Sequence, residues 1–216
     1  GSISVNALEL KEQVCDWAKR AYHDGLFEGT CGNLSAFDRE QGIVVITPSG
    51  LSYDRYRPED MVVIDLEGKV LEGNFPPSSE WIMHTMVYRK KPEVGAVIHT
   101  HSPYASAFAV RHEAIPAILI EMIPTLGGDV PLAEFGMPGT EEVGAQAVKV
   151  LDGRGGCLLA NHGVLAVGGS LEQAFVRAGY VENAAMICSI AMSSGSIVPL
   201  DKELCKAVQA HYGVKI

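Results

Sequence analysis

The stretch Cys157-Leu158-Leu159-Ala160-Asn161-His162-Gly163-Val164-Leu165-Ala166-Val167 decides the fold. Two short apolar runs, Cys157–Ala160 and Val164–Val167, flank the polar turn Asn161-His162-Gly163. Each run is too short for a helix and has the length of a buried strand. So short a connection joins antiparallel neighbours, because a parallel crossover needs roughly a dozen residues or more. The stretch therefore predicts a largely antiparallel sheet and argues against a doubly wound parallel one.

The same pattern recurs towards the N-terminus. Asn33–Phe37 and Gly42–Thr47 read as a hairpin across Asp38-Arg39-Glu40-Gln41, and Met61–Leu66 with Lys69–Leu71 as a second hairpin across Glu67-Gly68. Val94–His101 and Ile115–Glu121 read as further strands. Between them the period becomes helical. Leu10, Val14, Trp17 and Ala21 mark a helix over Ala7–Gly25. Ser78–Arg89 reads as a second, with Ser78 or Ser79 as its cap and Glu80 in its first turn. Tyr104–Val110, Glu141–Leu151 and Leu171–Met192 complete the helices. Helices interspersed with strands must find places on the sheet faces, so the expectation is one α/β domain over residues 1–216. Gly1-Ser2 reads as the remnant of an expression tag.

Composition bounds the function. The chain is 47% hydrophobic and 20% charged, and 17 basic against 26 acidic residues leave a net charge of −9. That balance argues against a nucleic-acid partner, which demands basic patches. It permits a small phosphorylated substrate held by a local nest of N–H groups. No apolar run approaches the roughly 18–20 residues that span a bilayer, so no membrane association is expected. The five cysteines, Cys15, Cys31, Cys157, Cys188 and Cys205, form no C-x-x-C pair. They read as free thiols of a reducing compartment, with the cytoplasm as the expected location.

His99-Thr100-His101 carries the chemistry. Residues i and i+2 of a strand face one side, so both imidazoles can reach one ion. His162, at a tight turn between apolar strands, contributes little to packing and is the candidate third ligand. Three protein ligands with an exchangeable position is the usual catalytic zinc arrangement. Each histidine taken alone is equally compatible with a packing or backbone-bonding role. His23, His112 and His211 sit in positions suited to solvation. His84, one turn after Glu80, is read as a supporting or packing residue, since a fourth imidazole would close the open position.

Three polar segments could bind an anion. Pro76-Pro77-Ser78-Ser79-Glu80 puts two hydroxyls and a carboxylate at a helix start, where Glu80 is equally a dipole-complementing acid or a metal ligand and base. Gly29-Thr30-Cys31-Gly32-Asn33 and Thr47-Pro48-Ser49-Gly50 offer N–H and hydroxyl donors, and both are also ordinary turn compositions. None has the Walker or dinucleotide-fingerprint spacing.

Taken in order, these segments resemble the class II aldolase family in its L-fuculose-1-phosphate aldolase branch, and more distantly the L-ribulose-5-phosphate 4-epimerases. The resemblance runs over nearly the whole chain: Gly29–Asn33, Thr47–Gly50, Pro77–Glu80, His99–His101, Phe135-Gly136 and Asn161–Gly163. It implies a three-layer α/β/α sandwich around a largely antiparallel sheet, assembled as a homotetramer. It implies zinc held by His99, His101 and His162, with Glu80 as fourth ligand or base. Asn33, Ser49, Gly50, Ser78 and Ser79 would bind the phosphate of a sugar phosphate. Tyr212 matches a tail tyrosine whose phenol donates a proton from a neighbouring subunit. One departure is the segment Leu119–Gly127, a residue longer than in the fuculose enzymes, which sets Ile120 or Glu121 where they carry a second tyrosine; aldehyde recognition is therefore expected to differ.

The resemblance implies reversible cleavage of a ketose 1-phosphate to dihydroxyacetone phosphate and an aldehyde. Pentulose-phosphate 4-epimerisation and dehydration are the alternatives, and Glu80 favours the aldolase because the epimerase branch resembles P-S-S-D. A non-catalytic assembly module, like the aldolase-like heads of some cytoskeletal proteins, is disfavoured by the presence of all three histidines and Glu80.

Overall fold

A computed structural model of the chain describes residues 6–214, so Gly1-Ser2 lies outside the described residues. Eight strands form one sheet: β1 Asn33–Asp38, β2 Ile43–Ile46, β3 Val62–Ile64, β4 Val70–Glu72, β5 Ala96–Thr100, β6 Leu132–Ala133, β7 Gly156–Leu159 and β8 Gly163–Gly168. Their order is β4-β3-β2-β1-β5-β8-β7-β6. Every pairing is antiparallel except β6 with β7. Seven α-helices accompany them among the described residues: α1 Leu8–His23, α2 Trp81–Lys90, α3 Pro103–Arg111, α4 Met122–Leu126, α5 Glu141–Val150, α6 Leu171–Ser194 and α7 Lys202–Tyr212.

The sheet is covered on both faces, and strand alternation decides what each face receives. Leu34 and Ala36 of β1, Val45 of β2, Val63 of β3 and Ile98 of β5 pack with Val14, Ala18 and Ala21 of α1 and with Ala174 and Ala178 of α6. The alternate residues Val44, Ile46, Val62, Ile64 and Val97 pack with Met83 and Val87 of α2 and Val143 and Ala147 of α5. A third cluster joins α3, α4 and α6 over Leu158 and Val164. The architecture is the three-layer α/β/α sandwich expected.

Three local readings are corrected, and one helix was missed. Ile115–Glu121 is not a strand: only Ile115 bridges, to Val130, because Pro116 has no N–H to continue a ladder and the chain turns into α4. The helix after the serines begins at Trp81, later than expected: Glu80 occupies the cap position without a side-chain cap bond, its carboxylate being engaged elsewhere, and Ser78 Oγ accepts from the Glu80 N–H in the turn that leads in. The second hairpin turns through Asp65–Lys69, where the Asp65 side chain accepts from the N–H groups of Glu67 and Lys69. The surface helix α7 went unread, although Asp201 accepts from the Leu204 N–H as its cap.

Candidate active site

The site forms where β1, β5 and the β7–β8 turn meet the start of α2. His99 is the penultimate residue of β5, with its ring on the α2 side of the sheet, and the antiparallel register sets it opposite Asn33 on β1. His101 follows one residue beyond the strand, at the exposed rim. Asn161 adopts a left-handed backbone, φ 57°, and the His162 N–H closes the turn onto the Leu159 carbonyl at 2.9 Å. This aims the third imidazole at the other two. Gly163 must be small here, because a Cβ would overlap the Thr100 carbonyl and lie 3.0 Å from Cδ2 of His101.

The ring centroids of His99, His101 and His162 lie 4.6–5.3 Å apart, and one nitrogen from each falls within 4.8 Å of the others. The tautomer of His99 is determined by its partner. Nδ1 lies 2.7 Å from the Val164 carbonyl oxygen, which only accepts, so Nδ1 carries the proton and Nε2 a lone pair. That lone pair faces His101 Nε2 at 2.9 Å and Glu80 Oε2 at 3.2 Å, while Glu80 Oε1 lies 2.9 Å from His162 Nε2. The His99 lone pair and Glu80 Oε2 are both acceptors, and facing each other in this way they repel unless a cation sits between them. The donor set, imidazole nitrogens with a carboxylate, fits a divalent metal of the zinc type.

The electrostatics agree. Burial pushes the His99 imidazole down to about 4, the neighbouring Glu80 only partly opposing it. Burial likewise lowers His101, with His162 adding to the effect. Both therefore favour the neutral, metal-binding form. Burial works to raise Glu80, yet the hydrogen bond from His162, the His99 ring and Asn33 together hold its carboxyl well below the ordinary range.

The segments with anion-binding composition lie side by side. Pro48 bridges Pro77, the Ser49 N–H donates to the Pro76 carbonyl, and the Ser78 N–H donates to the Thr47 carbonyl at 2.9 Å. Ser49, Gly50 and Ser79 are exposed, and Ser78 is buried with its Oγ accepting from the Glu80 N–H. Thr47 Oγ1 accepts from the Leu34 N–H, tying the start of β1, where the Gly29–Asn33 segment ends, to the same place. Asn33 itself is buried, and its amide nitrogen donates to Glu80 at 2.7 Å.

Tyr212 stands at the exposed end of α7, 54% accessible, and among the described residues no hydrogen bond joins it to the histidines. The helix is moored by Gln209, which donates to the Gly127 carbonyl. Ile120 is exposed just ahead of α4, and Glu121 takes that helix's cap position. Ser35 and Tyr88 went unread. Ser35 stands 2.6 Å from His84 Nδ1 and 2.7 Å from the Tyr88 hydroxyl, and His84, fully buried, meets the Asn33 amide oxygen through Nε2. Burial pushes the His84 ring down to about 3, so it is neutral. A signal existed: Asn33 and Ser35 are two polar residues two apart in a strand, facing one way.

The model of the Class II Aldolase and Adducin N-terminal domain matches residues 12–189. A 5-deoxy-D-ribulose 1-phosphate aldolase of Bacillus thuringiensis serovar kurstaki is 40% identical over 82% of this chain and 83% of its own length. An L-ribulose-5-phosphate 4-epimerase of Salmonella paratyphi B is 35% identical over 96% of this chain and 99% of its own. A solved L-fuculose 1-phosphate aldolase superposes with a TM-score of 0.91 at 38% identity, covering 99% of this chain and 100% of that one.

Proposed function

The chain belongs to the class II aldolase and adducin N-terminal domain family, and from that premise we propose a zinc-dependent aldolase that reversibly cleaves a ketose 1-phosphate to dihydroxyacetone phosphate and an aldehyde. The observation that carries the reading is the convergence of three imidazoles and Glu80 beside two paired, serine-bearing segments. Similarity to a 5-deoxy-D-ribulose 1-phosphate aldolase supports the choice of substrate class.

His99, His101 and His162 would hold the metal, with Glu80 beside them as fourth ligand or base. When bound, the ion supplies positive charge against which negative charge can develop on the substrate's carbonyl and hydroxyl oxygens. Ser49, Gly50, Ser78, Ser79 and the free N–H of Asn33 would hold the phosphate. In the direction of condensation, the Glu80 carboxylate takes the proton from the hydroxymethyl carbon of dihydroxyacetone phosphate, a task its low proton affinity permits only in a site that stabilises the resulting charge. Tyr212, reaching in from a neighbouring subunit of a homotetramer, then protonates the new alkoxide; in cleavage both transfers reverse. No Schiff-base lysine is required. No helix among the described residues is long and apolar enough to cross a membrane, and we place the enzyme in the cytoplasm.

The second reading, 4-epimerisation of a pentulose phosphate, is favoured by the greater coverage of the epimerase match and opposed by the Pro-Ser-Ser-Glu run at Pro77–Glu80. A panel of 5-deoxy-D-ribulose 1-phosphate, L-fuculose 1-phosphate and L-ribulose 5-phosphate separates the two. Release of dihydroxyacetone phosphate, lost on metal stripping and regained with zinc, supports the aldolase. Inversion at C4 without aldehyde release, or cleavage that survives metal removal, rejects it.

A further inference from the structure

Behind Glu80, four buried side chains form a hydrogen-bonded chain whose polarity has one solution. Asn33 Nδ2 lies 2.7 Å from Glu80 Oε2. A carboxylate only accepts, so the amide nitrogen faces Glu80 and the amide oxygen faces inward. That oxygen meets His84 Nε2, which must therefore carry the ring proton. His84 Nδ1 is then an acceptor, and Ser35 Oγ, 2.6 Å away, donates to it. Ser35 accepts in turn from the Tyr88 hydroxyl at 2.7 Å. Every donor points one way, towards Glu80, and Ser35, His84, Asn33 and Tyr88 are all buried from bulk water. The geometry follows from two periodicities: Asn33 and Ser35 share a face of β1 and take the two ring nitrogens of His84, while Glu80 and His84 stand one turn apart at the start of α2.

We propose that His84 is a positioning residue of the reaction centre: its Nε2–H, oriented by Ser35 and Tyr88, locks the Asn33 amide with the NH2 group towards Glu80. One N–H then holds the carboxylate, and the second remains for an anionic oxygen of the substrate. The flipped amide would set two oxygens against each other at the same distance and point an N–H at the donating ring nitrogen. For its kinetic consequence this inference rests on the aldol reading above; the polarity of the chain does not.

Nitrogen-15 NMR of the zinc-loaded, histidine-labelled protein reads the tautomer directly. One neutral ring, assigned by its disappearance in His84→Gln, should carry its proton on Nε2. A proton on Nδ1 of that ring overturns the proposal, whatever the substrate proves to be. In kinetics, His84→Leu should lower kcat for ketose 1-phosphate cleavage about ten- to a hundredfold, the cost of losing a buried hydrogen-bond donor in a charged network. Bound zinc should not change. His84→Gln, whose amide keeps a donor towards Asn33, should restore most of the rate. Full activity in His84→Leu, or an equal loss in folded, zinc-loaded His84→Gln, overturns the proposal. If the unaltered protein cleaves no ketose 1-phosphate, the aldol reading fails and the tautomer still decides the chain's polarity. If His84→Leu does not fold, His84→Gln and the tautomer carry the test.

Discussion

Asn33→Asp changes one atom of the site and reverses its electrostatics. The new oxygen would face Glu80 Oε2 where the amide nitrogen now stands, at 2.7 Å. Two full charges at that separation repel by about 6 kcal/mol at an effective dielectric of about 20. The pair relieves this by sharing a proton, which raises one carboxyl well above the ordinary range. In the unaltered protein Glu80 is held below that range, so its contribution to stability is present above about pH 4 and flat from about pH 5 to 7. In the variant the sign inverts. The folded state keeps a proton that the unfolded chain releases near pH 4, so stability falls by about 1.4 kcal/mol per pH unit until the raised pKa is passed. Urea unfolding with chelator present, at about pH 5 and about pH 7, should show the variant losing roughly 3 kcal/mol relative to the parent between the two. A difference that stays within about 1 kcal/mol across that window would refute the placement of the Asn33 nitrogen against Glu80.

Two further outcomes follow from the same geometry. Gly163→Ala puts a methyl group against the Thr100 carbonyl and the His101 and His99 rings, so zinc affinity should fall about ten- to a hundredfold in competition with a chromophoric chelator; unchanged affinity would show that the β5–β8 contact does not aim the ligands. Tyr212→Phe should lower kcat at least about a hundredfold with zinc content unaltered, whereas an unaltered kcat would remove the tail tyrosine from the proton path.

What was legible in the sequence is what short-range periodicity encodes. The Asn161-His162-Gly163 turn and the i, i+2 spacing of His99 and His101 are local, and with them came the antiparallel sheet and two imidazoles on one face, although His101 stands just past the end of β5. The misread strand at Ile115–Glu121 is apolar enough for the sheet, yet Pro116 denies it a ladder and only the Ile115–Val130 bridge forms. Helix α7 buries no residue fully, yet Leu204, Ala207 and Val208 recur at helical spacing behind the cap Asp201, so its signal was present and was missed. The parallel strand β6 has two residues, below what any pattern detects. Asn33 entered as a phosphate ligand only through the family resemblance, since its loop composition alone is equally that of an ordinary turn. Its bond to Glu80 spans 47 positions, and Ser35 reaches His84 and Tyr88 across 49 and 53. Such pairings depend on sheet register and helix placement together, which one-dimensional spacing does not carry. The i to i+4 relation of Glu80 and His84 was the one visible thread of that network.

The proposed chemistry requires His99, His101 and His162 to hold a single divalent cation. Anomalous diffraction from a crystal grown with zinc, recorded on both sides of the zinc absorption edge, tests it directly. One strong peak is expected, bounded by a nitrogen of each of the three rings at about 2.0–2.1 Å and absent in crystals of His162→Ala. A peak elsewhere with none among these rings, or one that persists undiminished in His162→Ala, would contradict it.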